Sequence, residues 1–265
     1  MMNSMIIGKY APGESVVHRM DPRAKLLLVF AYILIVFLAN NAGGYVLLGA
    51  YTALLVFMSK VPFSFILRGL KPVIWIIIIT FILHIIMTKE GPVLLELGFL
   101  SVHQGGVIQG LLISLRFLFL ILITTLLTLT TTPIQVTDGI ESLLGPLKKL
   151  KFPVHELALM MSISLRFIPT LMDETDKIIK AQTARGVDFS SGPIMDRLKA
   201  VVPLLVPLFI GSFKRAEELA IAMEARGYRG GEGRTKYRQL TWGAADTIML
   251  ITLVCLAVGL LFIRN

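Results

Sequence analysis

Cysteine and charged residues are both scarce in this chain of 265 residues. The single cysteine, Cys255, excludes an internal disulfide framework and a cysteine-rich metal site. Charged residues make up 16% of the chain, against about 25% in soluble domains, whereas 55% of the residues are hydrophobic. This balance is typical of an integral membrane protein and argues against a soluble globular domain.

Motifs that hold phosphate, zinc or an acyl group are also missing. The sequence contains no Gly-x-x-x-x-Gly-Lys-Ser/Thr loop, no His-Glu-x-x-His pair and no Gly-x-Ser-x-Gly turn. We therefore expect no enzyme activity and no bound cofactor or metal. If the protein's work requires ATP, other chains must hydrolyse it.

Long apolar runs are present in their place, at about 24–40, 44–59, 72–88, 106–131 and 242–263. Each approaches the ~20 residues that cross a hydrocarbon layer of about 30 Å. Basic side chains cluster in the amino-terminal segment and in the loop predicted at 59–71, so the positive-inside rule places both in the cytoplasm. The acidic-leaning loop at 88–104 then lies outside and 132–241 lies inside. We predict an all-α, multi-pass protein of the cell membrane with five spans.

The chain divides into three predicted parts: 1–131 with four spans, a cytoplasmic coupling domain at 132–241, and a last span at 242–265. The middle part has helical patterning at about 134–149, from near Val154 to Arg185, and from near Ile194 to Arg226. The last two helices would each be about 48 Å long. Each is apolar in its first half and charged in its second, which predicts helices that leave the membrane partway or lie obliquely at its inner surface.

Both long helices close on the same pattern, "AQTARG" and "AMEARG". A given Ala-Arg-Gly triplet is expected by chance only about 0.1 times in such a chain. A glycine in the C′ position with positive φ, beside a basic last turn, explains part of the pattern. It does not explain why alanine and arginine recur, whereas close approach of a carboxylate-bearing partner does. We predict two tips on two adjacent helices that bind two similar partners through Ala184, Arg185, Gly186, Ala225, Arg226 and Gly227.

These helices, set after four apolar spans and before a fifth, resemble the T component of energy-coupling factor (ECF) transporters, the EcfT family. The stretch "GESVVHRMDPRAKL" is similar to the start of that family's sequences, and the resemblance runs from Tyr10 to the last span. T components of cobalt and nickel ECF transporters are related. The resemblance implies a complex with two ABC-type ATPases and one integral-membrane, substrate-binding S component, surrounded by lipid and without nucleic acid.

The same resemblance implies a role for each part of the two long helices. Arg185 and Arg226 would each enter a groove on one ATPase. The apolar halves would cradle the S component, with contacts at Leu157, Met160, Met161, Leu204 and Leu208. The chain would then be a scaffold that transmits ATP-driven motion to a vitamin or metal-ion uptake component.

The segment "MDPRAKL" opens the first span. Asp21 suits the N-cap position and Pro22 the N1 position, and Arg23 and Lys25 are expected among the cytoplasmic headgroups. Because these roles account for the segment, its residues are predicted to be structural. The alternative is that the segment contacts a partner directly.

Arg116 lies too deep in the fourth predicted span to be an ordinary end-anchor. It belongs to "SLRF" at 114–117, which recurs at 164–167. Two interpretations stand side by side: it snorkels outward or caps a carbonyl inside the bundle, or it links the bundle to the coupling helices.

Two other functional classes stay open on sequence alone. A stand-alone permease would carry solute through its own spans, and transport by the purified chain in liposomes would indicate it. A membrane-anchored assembly protein without a transport role would recover no pair of ATP-binding subunits when purified.

Overall fold

The structure, a computed structural model, describes residues 10–97, 100–189, 193–230 and 239–264. Within these ranges the helices are α1 (Val16–Arg19), α2 (Pro22–Val36), α3 (Ala42–Ser59), α4 (Phe63–Met87), α5 (Gln104–Thr130), α6 (Pro133–Leu143), α7 (Val154–Ala184), α8 (Ile194–Ala225) and α9 (Ala244–Arg264), with a 3-10 helix at Gly145–Leu150 and strands β1 (Val93–Leu97) and β2 (Leu100–His103). The predicted all-α membrane class is confirmed.

Contacts group the chain into two units, which we describe separately. The bundle unit comprises Met1–Leu143 with Gln239–Asn265, and the two-helix unit comprises Leu144–Arg238. Helix α6 contacts α2 and therefore belongs to the bundle unit. The predicted functional division at 131/132 and 241/242 stays a prediction.

Five described helices are long and apolar enough to cross a membrane, namely α3, α4, α5, α7 and α9. The predicted number of five therefore agrees, but the membership differs. Helix α2 has 15 residues, about 22 Å, and ends at Val36 where we predicted a span continuing to residue 40. Asn40 and Asn41 follow a turn, and asparagine favours turns and helix starts over helix interiors.

The predicted basic loop at 59–71 is largely helical, because α4 begins at Phe63. Helix α4 has 25 residues, about 37 Å, so its first turns extend beyond what a ~30 Å hydrocarbon layer requires. Arg68 and Lys71 follow this excess of about five residues, within the first three turns, and side chains of this kind reach the interface from a helix. The prediction of a loop was wrong here, because the basic residues lie near the amino-terminal end of a long helix.

Helices α4 and α5 pack through small residues. Gly106 and Gly110 form a Gly-x-x-x-Gly spacing on α5, which permits close backbone approach. A Cβ added at Gly106 would lie 2.9 Å from the carbonyl oxygens of His84 and Thr88. Between these helices β1 and β2 pair as an antiparallel hairpin, with Val93 opposite His103, in the segment predicted as a loop.

The buried core of the bundle unit lies among α2, α3, α5 and α9. Its largest fully buried side chains include Tyr32, Leu48, Ile123 and Leu260. The Tyr32 hydroxyl shares a 2.5 Å hydrogen bond with the Thr52 hydroxyl, so the phenol's polar end is satisfied inside the core. This core fixes the start of α2, where the predicted structural residues lie.

Candidate coupling site

The first Ala-Arg-Gly stretch closes α7 through a Schellman motif. Gly186 adopts φ +87°, which glycine tolerates best, and Arg185 is the C-cap residue. The Gly186 N–H donates to the Thr183 carbonyl and the Val187 N–H donates to the Gln182 carbonyl, both at 3.0 Å. These bonds satisfy carbonyls that the end of a helix otherwise leaves without donors.

Helix α8 ends in the same way. Gly227 adopts φ +75° after the C-cap residue Arg226. The Gly227 N–H donates to Glu224 at 2.8 Å, and the Tyr228 N–H donates to Met223 at 3.0 Å. The prediction of a positive-φ glycine at each C′ position is confirmed. Because no heavy atom lies within 4 Å of an added Cβ at either glycine, the requirement is conformational rather than steric.

The two tips are open to contact. All six residues are exposed: Ala184, Arg185, Gly186, Ala225, Arg226 and Gly227. The hydrogen-bonded cap fixes the backbone of each arginine, and the arginine side chain is exposed. Their binding of a partner stays a prediction.

Within the two-helix unit, α7 and α8 are antiparallel. Glu174 of α7 pairs with Arg215 of α8 at 2.6 Å, and Gln182, later in α7, contacts Pro203, earlier in α8. Arg226 lies about six turns beyond Pro203, or about 35 Å along α8. The two tips, which the sequence places on adjacent helices, therefore lie at opposite ends of the pair.

Two contacts stabilise the packing of α7 against α8. Pro207 has no N–H, so the Pro203 carbonyl four residues earlier lacks its helical donor, and Gln182 Nε2 lies 3.5 Å from that oxygen. Gly211 lets Glu174 approach α8, because an added Cβ there would be 3.0 Å from Glu174 Oε1. The relative position of the two tips is set by these contacts.

The predicted S-component contacts divide into two groups. Met160 and Met161 on α7 are exposed, at 55% and 41%. Leu157, Leu204 and Leu208 are half-buried instead. The exposed apolar face of α8 carries other side chains, whose spacing is that of one helical stripe: Leu198, Val202, Leu205, Val206, Phe209, Ile210 and Phe213.

Known proteins are similar in sequence to this chain over nearly its full length. A family model described as CbiQ, cobalt transport protein, matches residues 13–237. The energy-coupling factor transporter transmembrane protein EcfT of Bacillus subtilis (strain 168) is 67% identical over 264 residues, covering 100% of both chains. The chain belongs to the EcfT family.

Two further relatives of the same name agree. The Listeria innocua protein is 60% identical over 262 residues, covering 99% of this chain and 98% of its own. The Streptococcus thermophilus protein is 49% identical over 264 residues, covering 100% of both. The predicted resemblance to EcfT is thus confirmed. This EcfT-family chain is the transmembrane component of an ECF transporter and not a catalytic subunit.

The residues predicted to be structural form a polar cluster in the bundle unit. Asp21 caps α2, accepting from the Arg23 N–H at 2.8 Å, and Pro22 follows at N1. Arg23 Nε and Nη2 donate to the two Asp21 oxygens at 3.0 and 2.8 Å. The Asp21 side chain is fully buried. Asp246 Oδ1 in turn accepts from the Asp21 N–H at 2.9 Å.

Arg23 also joins two distant parts of the EcfT-family chain. Its guanidinium donates to the Ser142 hydroxyl at 3.4 Å and to the Leu240 carbonyl at 3.2 Å, and it lies 5.9 Å from the Trp242 ring centroid. Ser142 and Leu240 lie just outside the sequence limits of the two-helix unit. Sequence reasoning missed these long-range contacts, for which no local pattern exists.

The charge of this cluster is balanced locally. Burial by itself raises the pKa of the Asp21 carboxyl, but hydrogen bonds from Arg23 and the charges of Arg23 and Lys25 outweigh it and leave the pKa below its usual range. The expectation that Lys25 lies among headgroups is wrong. Lys25 is 4% exposed, and its Nζ donates to the His18 and Thr130 carbonyls at 3.1 and 2.9 Å.

Arg116 lies beside the end of α2. Its Nη2 donates to the Ala39 carbonyl at 3.2 Å, and its guanidinium lies 5.4 and 5.9 Å from the ring centroids of Phe37 and Tyr45. This is the carbonyl-capping arrangement, and all four residues belong to the bundle unit. Within the described ranges, no group of three or more His, Cys, Asp or Glu is placed to hold a metal ion.

Proposed function

We propose that this EcfT-family chain is the scaffold that transmits ATP-driven movement from two ABC-type ATPases to a membrane-embedded S component. The observation that carries the proposal is the pair of exposed arginine tips, each fixed by a Schellman motif, at opposite ends of one antiparallel helix pair. The name shared by the relatives, energy-coupling factor transporter transmembrane protein, supports a role in energy coupling.

The spacing of the tips favours two separate ATPases. A separation of about 35 Å along α8 is comparable to the diameter of a small domain, so a single binding pocket on one ATPase cannot hold both tips. We call such a pocket on an ATPase a socket. Arginine suits a docking role because its planar fork donates in parallel to a carboxylate, and the small alanine before it leaves room for the partner's surface. Movement of two sockets relative to each other would then turn the helix pair as a rigid body.

The exposed apolar face of α8 supports a membrane partner. It is a contiguous stripe of large aliphatic and aromatic side chains, which favours contact with another apolar protein surface or lipid. We propose that the S component binds the stripe containing Val202, Val206, Phe209 and Phe213, together with Met160 and Met161 of α7. Flexible thioethers suit a surface that packs against more than one partner.

We further propose that the short helix α2 crosses the membrane together with α3, α4 and α5, so that the amino terminus and residues 132–241 both face the cytoplasm, where the ATPases must find ATP. The excess of lysine and arginine near the start of α2 and in the first turns of α4 supports this orientation. The proposed complex would take up a vitamin or a metal ion, and the S component would determine which substrate is transported.

The proposal is tested by replacing the arginine of each tip in the assembled transporter. Arg185→Ala and Arg226→Ala should each weaken retention of one ATPase, and the double variant should lose both ATPases and uptake while still inserting. Removing one partner of a desolvated charge pair costs about 2–5 kcal/mol, so the loss should be at least tenfold per tip. Lys214→Ala, an exposed cation of α8 outside either tip, is the matched control. Full ATPase retention and uptake by the double variant would refute the scaffold role.

A further inference from the structure

The two tips differ in what surrounds them. Near Arg226 the helix pair forms an open groove of about 610 Å³. Three arginines line it, Arg166 from α7, Arg226 from the end of α8, and Arg229 just after it, and no carboxylate is among the lining residues that the structure describes. We call this the arginine groove.

The depression beside the other tip has a different lining. It is lined by Thr183, Gly186 and Asp188 with three apolar side chains, and no arginine or lysine is among the lining residues that the structure describes. The two ends are therefore identical in cap geometry and distinct in electrostatic surroundings.

The convergence of three arginines follows from the fold of the two-helix unit. Antiparallel packing places Arg166, in the first half of α7, opposite the last turn of α8. The left-handed conformation at Gly227 reverses the chain and brings Arg229 back to the same groove. All three arginines are exposed. Like charges in one groove repel, so an acidic partner gains from all three at once.

The walls of the groove favour a protein as that partner. Leu159, Ile163, Phe167 and Met223 line it beside the arginines, together with Tyr228. Arginine, tyrosine, methionine and phenylalanine are the residues enriched at protein interfaces, where apolar side chains form the centre. A lipid headgroup would leave these apolar walls unused at the polar surface.

We propose that the arginine groove binds a segment of one ATPase that carries at least two carboxylates, and that the two ATPase sockets are therefore not equivalent. This inference rests on the proposed function. The α8 end takes the more acidic socket, through Arg166 and Arg229 in addition to Arg226. The α7 end takes a socket matched to one arginine.

Site-specific photocrosslinking in the purified complex tests this assignment. A photoreactive residue at position 166 or 229 should capture the same ATPase that position 226 captures, and position 185 should capture the other. Capture of the S component or of lipid alone from 166 and 229 would overturn the inference. If 226 captures no ATPase either, the proposed function itself fails.

Salt release gives a second readout with a matched control. Arg166→Gln and Arg229→Gln should each weaken binding of that one ATPase on the order of tenfold and make its release by salt less steep. Lys177→Gln removes an exposed cation of α7 outside the groove and should leave release unchanged. Equal behaviour of the arginine variants and the lysine variant would refute the arginine groove as a docking surface.

Discussion

Replacing Arg23 by methionine should destabilise the bundle unit, because Arg23 is the main counter-charge of a buried carboxylate. Methionine keeps an apolar stem beside Trp242 and removes the donors to Asp21, Ser142 and Leu240. The Asp21 side chain has no solvent exposure with which to replace them. The Arg23 N–H bond to Asp21 survives, since it comes from the backbone.

The magnitude follows from the geometry of this pair. Removing one partner of a buried ion pair costs about 3–5 kcal/mol. The Arg23 side chain is 25% exposed and one bond to Asp21 remains, so we expect a loss of about 2–4 kcal/mol in unfolding free energy. Arg19→Met is the matched control. Arg19 pairs with Glu14 at 3.2 Å, but both side chains are largely exposed, so the loss should stay below about 1 kcal/mol.

The assay is reversible unfolding of the purified chain in mild detergent, combined with a double-mutant cycle. With Asp21→Asn already in place, Arg23→Met should cost much less, giving a coupling of about 1 kcal/mol or more. Equal losses for the Arg19 and Arg23 variants, or a coupling of zero, would show that the pair does not carry the stability assigned to it.

Acidification supplies an independent check on the same pair. Since Arg23 holds the Asp21 pKa below its ordinary value near 4, the ionised carboxylate stabilises the fold above that pH, and this contribution is lost as the pH falls through the folded-state pKa. Without the Arg23 guanidinium, burial is opposed only by the surviving Arg23 N–H bond and the charge of Lys25, so the Asp21 pKa rises. The stability gap between wild type and Arg23→Met should therefore narrow between pH 7 and pH 4, and a gap that widens would contradict the assignment.

Three further predictions concern the helix contacts. Gly227→Ala should fray the end of α8 by about 1–2 kcal/mol, seen as faster amide exchange there, because its φ of +75° disfavours a Cβ; Gly145→Ala, which meets nothing within 4 Å, should not. Gly106→Ala should lower the unfolding midpoint, because its Cβ would press on the carbonyl oxygens of His84 and Thr88 at the end of α4 and cost about 1–3 kcal/mol. Glu174→Gln removes the ionic partner of Arg215, so the distance distribution between spin labels on α7 and α8 should broaden; an unchanged distribution would mean that packing alone holds the crossing.

Local patterns predicted the two long helices closely. Their limits, near Val154 to Arg185 and near Ile194 to Arg226, differ from α7 and α8 by about one residue. Glycine directly after an arginine at the end of a helix is a signal contained within a few residues, so no distant contact was needed to read it. The same holds for Asp21 and Pro22 at the start of α2.

Features that depend on distant partners were missed. Lys25 was placed among headgroups because its two carbonyl acceptors come from His18 and Thr130, which no local pattern connects to it. Gly106 on α5 faces the end of α4, and this contact is invisible until the helices are paired. Charge alone also misled, since Arg68 in an over-long helix reads like a loop residue.

The opposite placement of the two tips follows from connection length. Helices α7 and α8 have 31 and 32 residues and are joined by a short segment, and packed helices with a short connection run antiparallel. Two carboxyl-terminal tips on such a pair must lie at opposite ends, whatever their sequences. The repeated stretch thus makes the tips alike, whereas their surroundings differ through Arg166 of the neighbouring helix beside one tip and Asp188 of the segment after α7 beside the other. A difference in partner choice between the tips must therefore come from these neighbours, because the repeated Ala-Arg-Gly stretch supplies none.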